Sequence, residues 1–150
     1  MGYELNTKKI NAAIKKTIWP GRLEVINYKN KKIILDGSHN IDGAEKLSEF
    51  LKTKRIKPIV LFGMLNNKKA SLFLGKIKKR ISKVLAIKIP DEKNSFETKK
   101  INEICDFHSI KSERVDNIND ALKYFRSNQE KIYLITGSLY LIGKIRRRLL

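Results

Sequence analysis

Apolar positions in this chain fall into two kinds of stretch that take turns. Short solid runs occupy Leu23–Tyr28, Lys32–Leu35, Ile59–Phe62, Val84–Ile87 and Ile132–Thr136. Runs of this length, rich in Ile, Val and Leu, predict buried strands. Between them apolar residues recur at threes and fours. One such stretch has Ala44, Leu47, Phe50 and Leu51, with Asp42 as the expected N-cap. Others run from Ala70 to Arg80, with Leu72, Phe73, Leu74 and Ile77, and from Glu97 to Phe107. Then come Ala121, Leu122, Tyr124 and Phe125 behind an expected cap at Asn119, and Leu139 to Leu149. A weak strand is expected near Ser109–Lys111. The first two runs predict a β-hairpin turning at Lys29-Asn30-Lys31. Strands alternating with helices of this length predict an α/β fold: a mostly parallel open sheet with helices on both faces, preceded by the hairpin. Ahead of it, Leu5, Ile10, Ala13 and Ile14 give Glu4–Lys16 helical spacing, and Pro20-Gly21 breaks the chain. Residues 1–18 are therefore expected to end a preceding domain and linker, and 19–150 to form the domain proper.

Composition narrows the class. With 150 residues, 41% of them hydrophobic, the chain has enough apolar material for one domain core. No run approaches the roughly 20 apolar residues that span a bilayer. Met1 to Lys16 has no apolar stretch, so no secretory signal is expected, and a cytoplasmic location without membrane contact is expected. Cys105 stands alone, which excludes a disulfide framework; beside Ile101 and Ile104 it is expected to be a small core residue. The net charge of +18 raises the possibility of a nucleic-acid partner. Against it, the lysines are spread along the chain and the few aromatics are not interleaved with them, so no stacking platform is expected. The densest cluster, Lys144 to Arg148, suits the C-terminus of a helix.

The polar chemistry gathers at strand ends. Asp36-Gly37, Phe62-Gly63 and Thr136-Gly137 each close a predicted strand. In a parallel sheet these ends share the edge where open α/β folds bind ligands. That edge is expected to collect Asp36, Ser38, His39, Asn40, Asn66, Asn67, Lys68 and Ser138, with helix N-termini near Asp42 and Leu139 favouring anions. Ordinary turn chemistry accounts for Asn66 and Asn67. It accounts less well for the string Asp36-Gly37-Ser38-His39-Asn40. Neither G-x-x-x-x-G-K-[ST] nor G-x-G-x-x-G occurs, and two histidines without metal-ligand spacing make a protein metal cage unexpected. His108, at a predicted helix end, is expected to be structural.

Four strings, in order, resemble one family: Trp19-Pro20-Gly21-Arg22-Leu23-Glu24, Leu35-Asp36-Gly37-Ser38-His39-Asn40, Phe62-Gly63-Met64-Leu65, and Thr136-Gly137-Ser138-Leu139-Tyr140-Leu141-Ile142-Gly143. They resemble the C-terminal domain of the folylpolyglutamate synthase / dihydrofolate synthase family, within the Mur ligase superfamily, over about Trp19 to Leu149. Pro90 to Ser95 also looks like the bacterial bifunctional form. The resemblance implies a Rossmann-like domain of an ATP-dependent ligase that adds L-glutamate to dihydropteroate or folates through an acyl phosphate. It implies ATP and magnesium as cofactors, with the P-loop and the magnesium ligands in the preceding central domain, and the glutamate, ATP and folate shared with that domain. A monomer is expected, inactive without that domain. By the same resemblance Arg22 meets the ATP phosphates, a task suited to a guanidinium fork. Asp36 accepts from the ribose hydroxyls, and His39 lies between nucleotide and reacting centre. Asn40 belongs to the nucleotide side, and Ser138 and Tyr140 to the glutamate side. Where the family often carries an acidic string after Phe-Gly-Met-Leu, this chain has Asn66-Asn67-Lys68-Lys69, which keeps the cation and lacks the carboxylate.

Two rival readings stand beside this one: another Mur-type amino-acid ligase domain, and a basic nucleic-acid-binding module. For two residues a plain structural role also stays open. Pro20-Gly21 alone explains a tight turn at Arg22, and Ser138 suits the N-cap of the last helix.

Overall fold

The computed structural model describes residues 20–150. The expected helix over Glu4–Lys16 and the expectation for Trp19 lie outside the described residues. Among those described, six strands form one sheet in the order β1-β2-β6-β3-β4-β5. The strands are β1 Glu24–Tyr28, β2 Lys31–Asp36, β3 Ile59–Phe62, β4 Lys83–Ala86, β5 Ser112–Arg114 and β6 Ile132–Thr136. β1 pairs antiparallel with β2, and every other pairing is parallel. The helices are α1 Ile41–Lys54, α2 Ala70–Ile77, α3 Thr98–Phe107, α4 Ile118–Ser127 and α5 Leu139–Leu149.

The sheet separates two apolar layers. On one face α4 and α5 bring Phe125, Leu141 and Ile145 against Leu35, Leu61, Tyr133 and Ile135. On the other, α1, α2 and α3 bring Leu47, Leu51, Phe73, Ile77 and Ile101 against Ile34, Val60, Phe62 and Leu134. Adjacent strand residues alternate between the layers, so strands buried on both faces read as solid apolar runs. Cys105 is fully buried in the second layer, where burial pushes its thiol up to about 11.

The alternation read from sequence holds, and five details differ. The hairpin turn is Lys29-Asn30 alone, both in the left-handed region (φ 47° and 65°), a two-residue turn that matches strand twist; Lys31 already belongs to β2. α1 is capped by Asn40 rather than Asp42: Asn40 is extended and its side chain accepts from the Gly43 N–H, while Asp42 lies in the first turn. α4 is likewise capped by Asn117, two residues before Asn119, through the Asp120 N–H. The helix expected to run to Arg80 ends at Ile77 and tightens into a 3₁₀ turn over Lys78–Arg80. The weak strand lies at Ser112–Arg114, because Ser109 takes a left-handed turn (φ 57°) after α3 and pairing with β4 begins at Val84↔Ser112.

The crossovers decide where the polar loops meet. β2-α1-β3, β3-α2-β4 and β4-α3-β5 step one way across the sheet. β5-α4-β6 steps back and inserts β6 between β2 and β3. Right-handed crossovers running in opposite directions place their helices on opposite faces. The direction of winding therefore changes around β6, the kind of switch point beside which open α/β sheets bind ligands.

Candidate functional site

Asp36, Thr136, Phe62, Ala86 and Arg114 form one register row across the carboxyl ends of the parallel strands. The loops that leave this row carry the polar groups. Gly137 N–H donates to the Ser38 carbonyl at 3.2 Å, so the Asp36–Asn40 and Gly137–Ser138 segments are neighbours although a hundred residues separate them along the chain. Gly137 has φ 107°, and a Cβ there would lie 2.4 Å from the Gly63 carbonyl oxygen. Only a glycine lets β6 end this close to the β3 loop.

Asp36 is nearly buried and holds two segments together. Its Oδ1 accepts from Ser38 N–H at 3.0 Å and its Oδ2 from Leu23 N–H at 3.1 Å. Each oxygen keeps a further lone pair. His39 is half-buried, with Nδ1 2.9 Å from the Gly37 carbonyl. That carbonyl can only accept, so Nδ1 carries the hydrogen and Nε2 of the neutral ring is left as an acceptor.

Arg22 is exposed, and its side chain has no ion-pair partner among the described residues. Its backbone is held firmly. Gly21 N–H donates to Glu24 Oε2 at 2.9 Å, and Gly37 N–H donates to the Gly21 carbonyl at 2.7 Å. Glu24 in turn receives a two-pronged guanidinium from Arg146 on α5, with Nη2–Oε1 2.9 Å and Nε–Oε2 3.0 Å. The Arg146 hydrogen bond holds the Glu24 carboxyl below its ordinary value, and Glu24 raises Arg146 in return.

Two open hollows flank α1. One, of about 430 Å³, lies between the β2-α1 and β3-α2 loops and is lined by His39, Asn40, Asp42, Asn67, Lys68 and Lys69. The other, of about 420 Å³, is lined by Arg22, Asp36, Ser38, Asn40, Asp42 and Lys46 among others. Asn40 and Asp42 border both. The arrangement offers a guanidinium and three ammonium groups around two hollows, chemistry suited to phosphate and carboxylate groups, with the His39 imidazole at the edge of one.

Of the residues expected from sequence, Arg22, Asp36, Ser38, His39, Asn40, Asn67 and Lys68 line these hollows. Ser138 lines neither. It is nearly buried, and its Oγ accepts from Tyr140 N–H at 3.1 Å, capping α5. Tyr140 is 60% exposed at the start of α5. Asn66 is exposed and lines neither hollow; its backbone N–H donates to the Asn94 carbonyl. Lys46 and Lys69 were missed; Lys46 follows helical spacing from Asp42, a pattern indistinguishable from a solvated face. His108 closes α3, and its Nε2 lies 2.9 Å from Ser71 Oγ, away from both hollows.

The family model described as dihydrofolate synthetase, C-terminal domain, matches residues 21–148. The chain belongs to this family. The dihydrofolate synthase/folylpolyglutamate synthase of Bacillus subtilis is 30% identical over 149 residues, 97% of this chain and 34% of that protein. The folylpolyglutamate synthase of Lacticaseibacillus casei is 28% identical over 99% of this chain and 34% of that protein. Among solved structures, the folylpolyglutamate synthase of Thermotoga maritima superposes with a TM-score of 0.78 at 27% identity, covering 98% of this chain and 34% of that one. The bifunctional synthase of Yersinia pestis, solved with AMPPNP and a manganese ion, shares the fold with a TM-score of 0.80 at 17% identity, over 98% of this chain and 35% of that one. The chain spans about a third of the length of the curated relatives it matches. Among its described residues no helix is long and apolar enough to cross a membrane.

Proposed function

We propose that this chain is the C-terminal domain of an ATP-dependent folylpolyglutamate/dihydrofolate synthase, and that it brings nucleotide and glutamate contacts to a site shared with the preceding part of such an enzyme. The reaction joins L-glutamate to dihydropteroate or a folate through an acyl phosphate. In this reading residues 1–18 end the preceding domain, and the enzyme is a cytoplasmic monomer.

The observation that carries the reading is the pair of adjoining hollows beside the start of α1, one lined by Arg22 and the other by His39 and Lys68, with Asn40 bordering both. A nucleoside triphosphate fits these donors, because the site is cationic and Arg22 is unpaired among the described residues. A magnesium ion finds no cage here. Among the described residues no group of three or more His, Cys, Asp or Glu side chains is placed to hold one. In this reading its ligands belong to the preceding domain, as the family resemblance implies. The bound triphosphate supplies the phosphoryl group that activates the acceptor carboxylate. The Arg22 guanidinium offsets charge building on the transferring phosphate. Asp36 uses its remaining lone pairs for the ribose hydroxyls while it fixes Leu23 and Ser38. His39, oriented by the Gly37 carbonyl, presents Nε2 as an acceptor near the reacting centre, beside Asn40, suited to an N–H of the incoming glutamate amine. Lys68 lines the same hollow as His39 and keeps the cation of that loop, a positive charge suited to a glutamate carboxylate. Ser138 keeps its hydroxyl proton after capping α5 and donates it to glutamate, and Tyr140 covers that contact.

The test is to fuse the whole 150-residue chain behind the segment of the Bacillus subtilis relative that precedes its match, and to follow ATP-dependent transfer of labelled glutamate to dihydropteroate. The fusion is expected to ligate and the 150-residue chain alone is not. Ligation by the chain alone, or a folded fusion that never ligates, overturns the reading.

A further inference from the structure

Glu24 is a carboxylate buried at the first position of an edge strand, with its side chain 8% exposed. Such a group is costly to bury unless its oxygens are fully used. An apolar residue would close the sheet edge at less cost. The carboxylate is spent on two partners: the Arg146 fork on one side and the Gly21 backbone N–H on the other. The turn so held is strained. Gly21 has φ 72° and Leu23 has φ 47°, and a branched side chain rarely adopts the left-handed region. Such a conformation persists where its surroundings over-determine it. Here Glu24 takes the N–H before Arg22, Asp36 takes the N–H after it, and Gly37 binds the Gly21 carbonyl. Every backbone hold lies on the neighbours of Arg22, while the Arg22 side chain itself is left exposed.

We propose that Glu24, braced by Arg146, is a positioning residue for Arg22: by accepting the Gly21 N–H it locks the strained turn that aims the guanidinium at an anion. This rests on the reading of Arg22 as a phosphate contact. Arg146 works through Glu24 and touches no ligand. The arrangement couples the direction of the guanidinium to the seating of α5 on the sheet.

Two variants separate positioning from mere stability. Glu24→Gln and Glu24→Met both leave Arg146 without its ion-pair partner, but the Gln amide oxygen still accepts from Gly21 and the Met thioether does not do so usefully. The whole 150-residue chain is titrated with tripolyphosphate and followed at the Gly37 amide resonance. Amide hydrogen exchange at Gly21 and the melting temperature are measured on the same samples. Both variants are expected to melt lower. Glu24→Met is expected to speed Gly21 exchange at least about tenfold and to weaken tripolyphosphate binding several-fold, toward the level of Arg22→Ala, whereas Glu24→Gln keeps both near wild type. Equal behaviour of the two variants in exchange and binding overturns the proposal and leaves Glu24 a stabilising ion pair. If Arg22→Ala itself binds tripolyphosphate like wild type, the reading of Arg22 as an anion contact falls, and Gly21 exchange alone still decides whether Glu24 locks the turn.

Discussion

The starts of α1 and α2 form two sides of one hollow and are built in opposite ways. α1 begins in a closed network. Asn40 caps it through Gly43 N–H, Asp36 pins Ser38, and Gly37 is tied to Gly21. α2 begins at Lys69, whose backbone is not extended and whose side chain makes no capping bond. The first N–H groups of α2 therefore keep unmet demand, and two lysines stand beside them. The contrast teaches how the site divides its work. The α1 side is rigid and sets directions, and the α2 side stays electrostatically open to an anion.

The largest expected effect drives a wedge between the two sides, because Gly137 lies between Ser38 and Gly63. Gly137→Ala puts a Cβ 2.4 Å from a backbone oxygen of the β3 loop and forces an alanine to φ 107°. We expect a loss of about 3–5 kcal/mol, read by urea denaturation, or failure to fold. A loss below about 1 kcal/mol would mean that the loops are not held against each other. Next comes the rigid side. In the fused synthase, Arg22→Ala is expected to lower kcat by about 2–4 kcal/mol of transition-state stabilisation, with Lys restoring part of it because the planar fork is missing. An unchanged kcat reduces the turn to a structural one.

Ser138 tests whether a capped helix start also serves the ligand. Ser138→Ala is expected to lower the melting temperature by the loss of a cap worth about 1 kcal/mol. It is also expected to raise the glutamate KM roughly tenfold or more, as loss of a hydrogen bond to a charged group does, while the ATP KM stays put. A lower melting temperature with an unmoved glutamate KM leaves Ser138 a cap and nothing else.

Acid probes the brace behind Arg22. Glu24 is held below its ordinary value chiefly by the Arg146 hydrogen bond. A carboxylate lowered in the folded state stabilises the fold above the unfolded pKa and loses that contribution as pH falls through the lowered value. Stability of the wild type should therefore drop in that acidic window more steeply than that of Glu24→Gln, as followed by denaturation at stepped pH. The smallest effect makes the two helix starts alike. Lys69→Asp supplies α2 with a capping acceptor and is expected to add up to about 1 kcal/mol of stability while weakening anion binding in the hollow. Unchanged anion binding would remove the argument for the open side.

Much of this architecture was legible in the chain, for identifiable reasons. β2, β3, β4 and β6 are buried on both faces, so their side chains form unbroken apolar runs, and the helices betray one buried stripe each. β5 lies off its expected place because three residues at a sheet edge, one half-buried and two exposed, carry little pattern. Both displaced N-caps came from neighbouring Asn and Asp residues that cap equally well in isolation, the choice resting on where the backbone leaves its extended path. The string Asp36 to Asn40 announced the site by its chemistry, and Lys46 and Lys69 did not, since a lysine at a helix start looks the same whether or not a hollow lies beside it.

By itself the sequence determined the α/β alternation, the family and the edge of the sheet on which the polar strings meet. These follow from local periodicity and from residue types that few other positions would tolerate. Tertiary structure alone decided that β6 is inserted between β2 and β3, that Asp36 fixes Leu23, and that Arg146 reaches back 122 residues to hold Glu24. Each is a contact between segments far apart along the chain. Its energy depends on distance and burial in the assembled sheet, and these quantities have no counterpart in the order of residues.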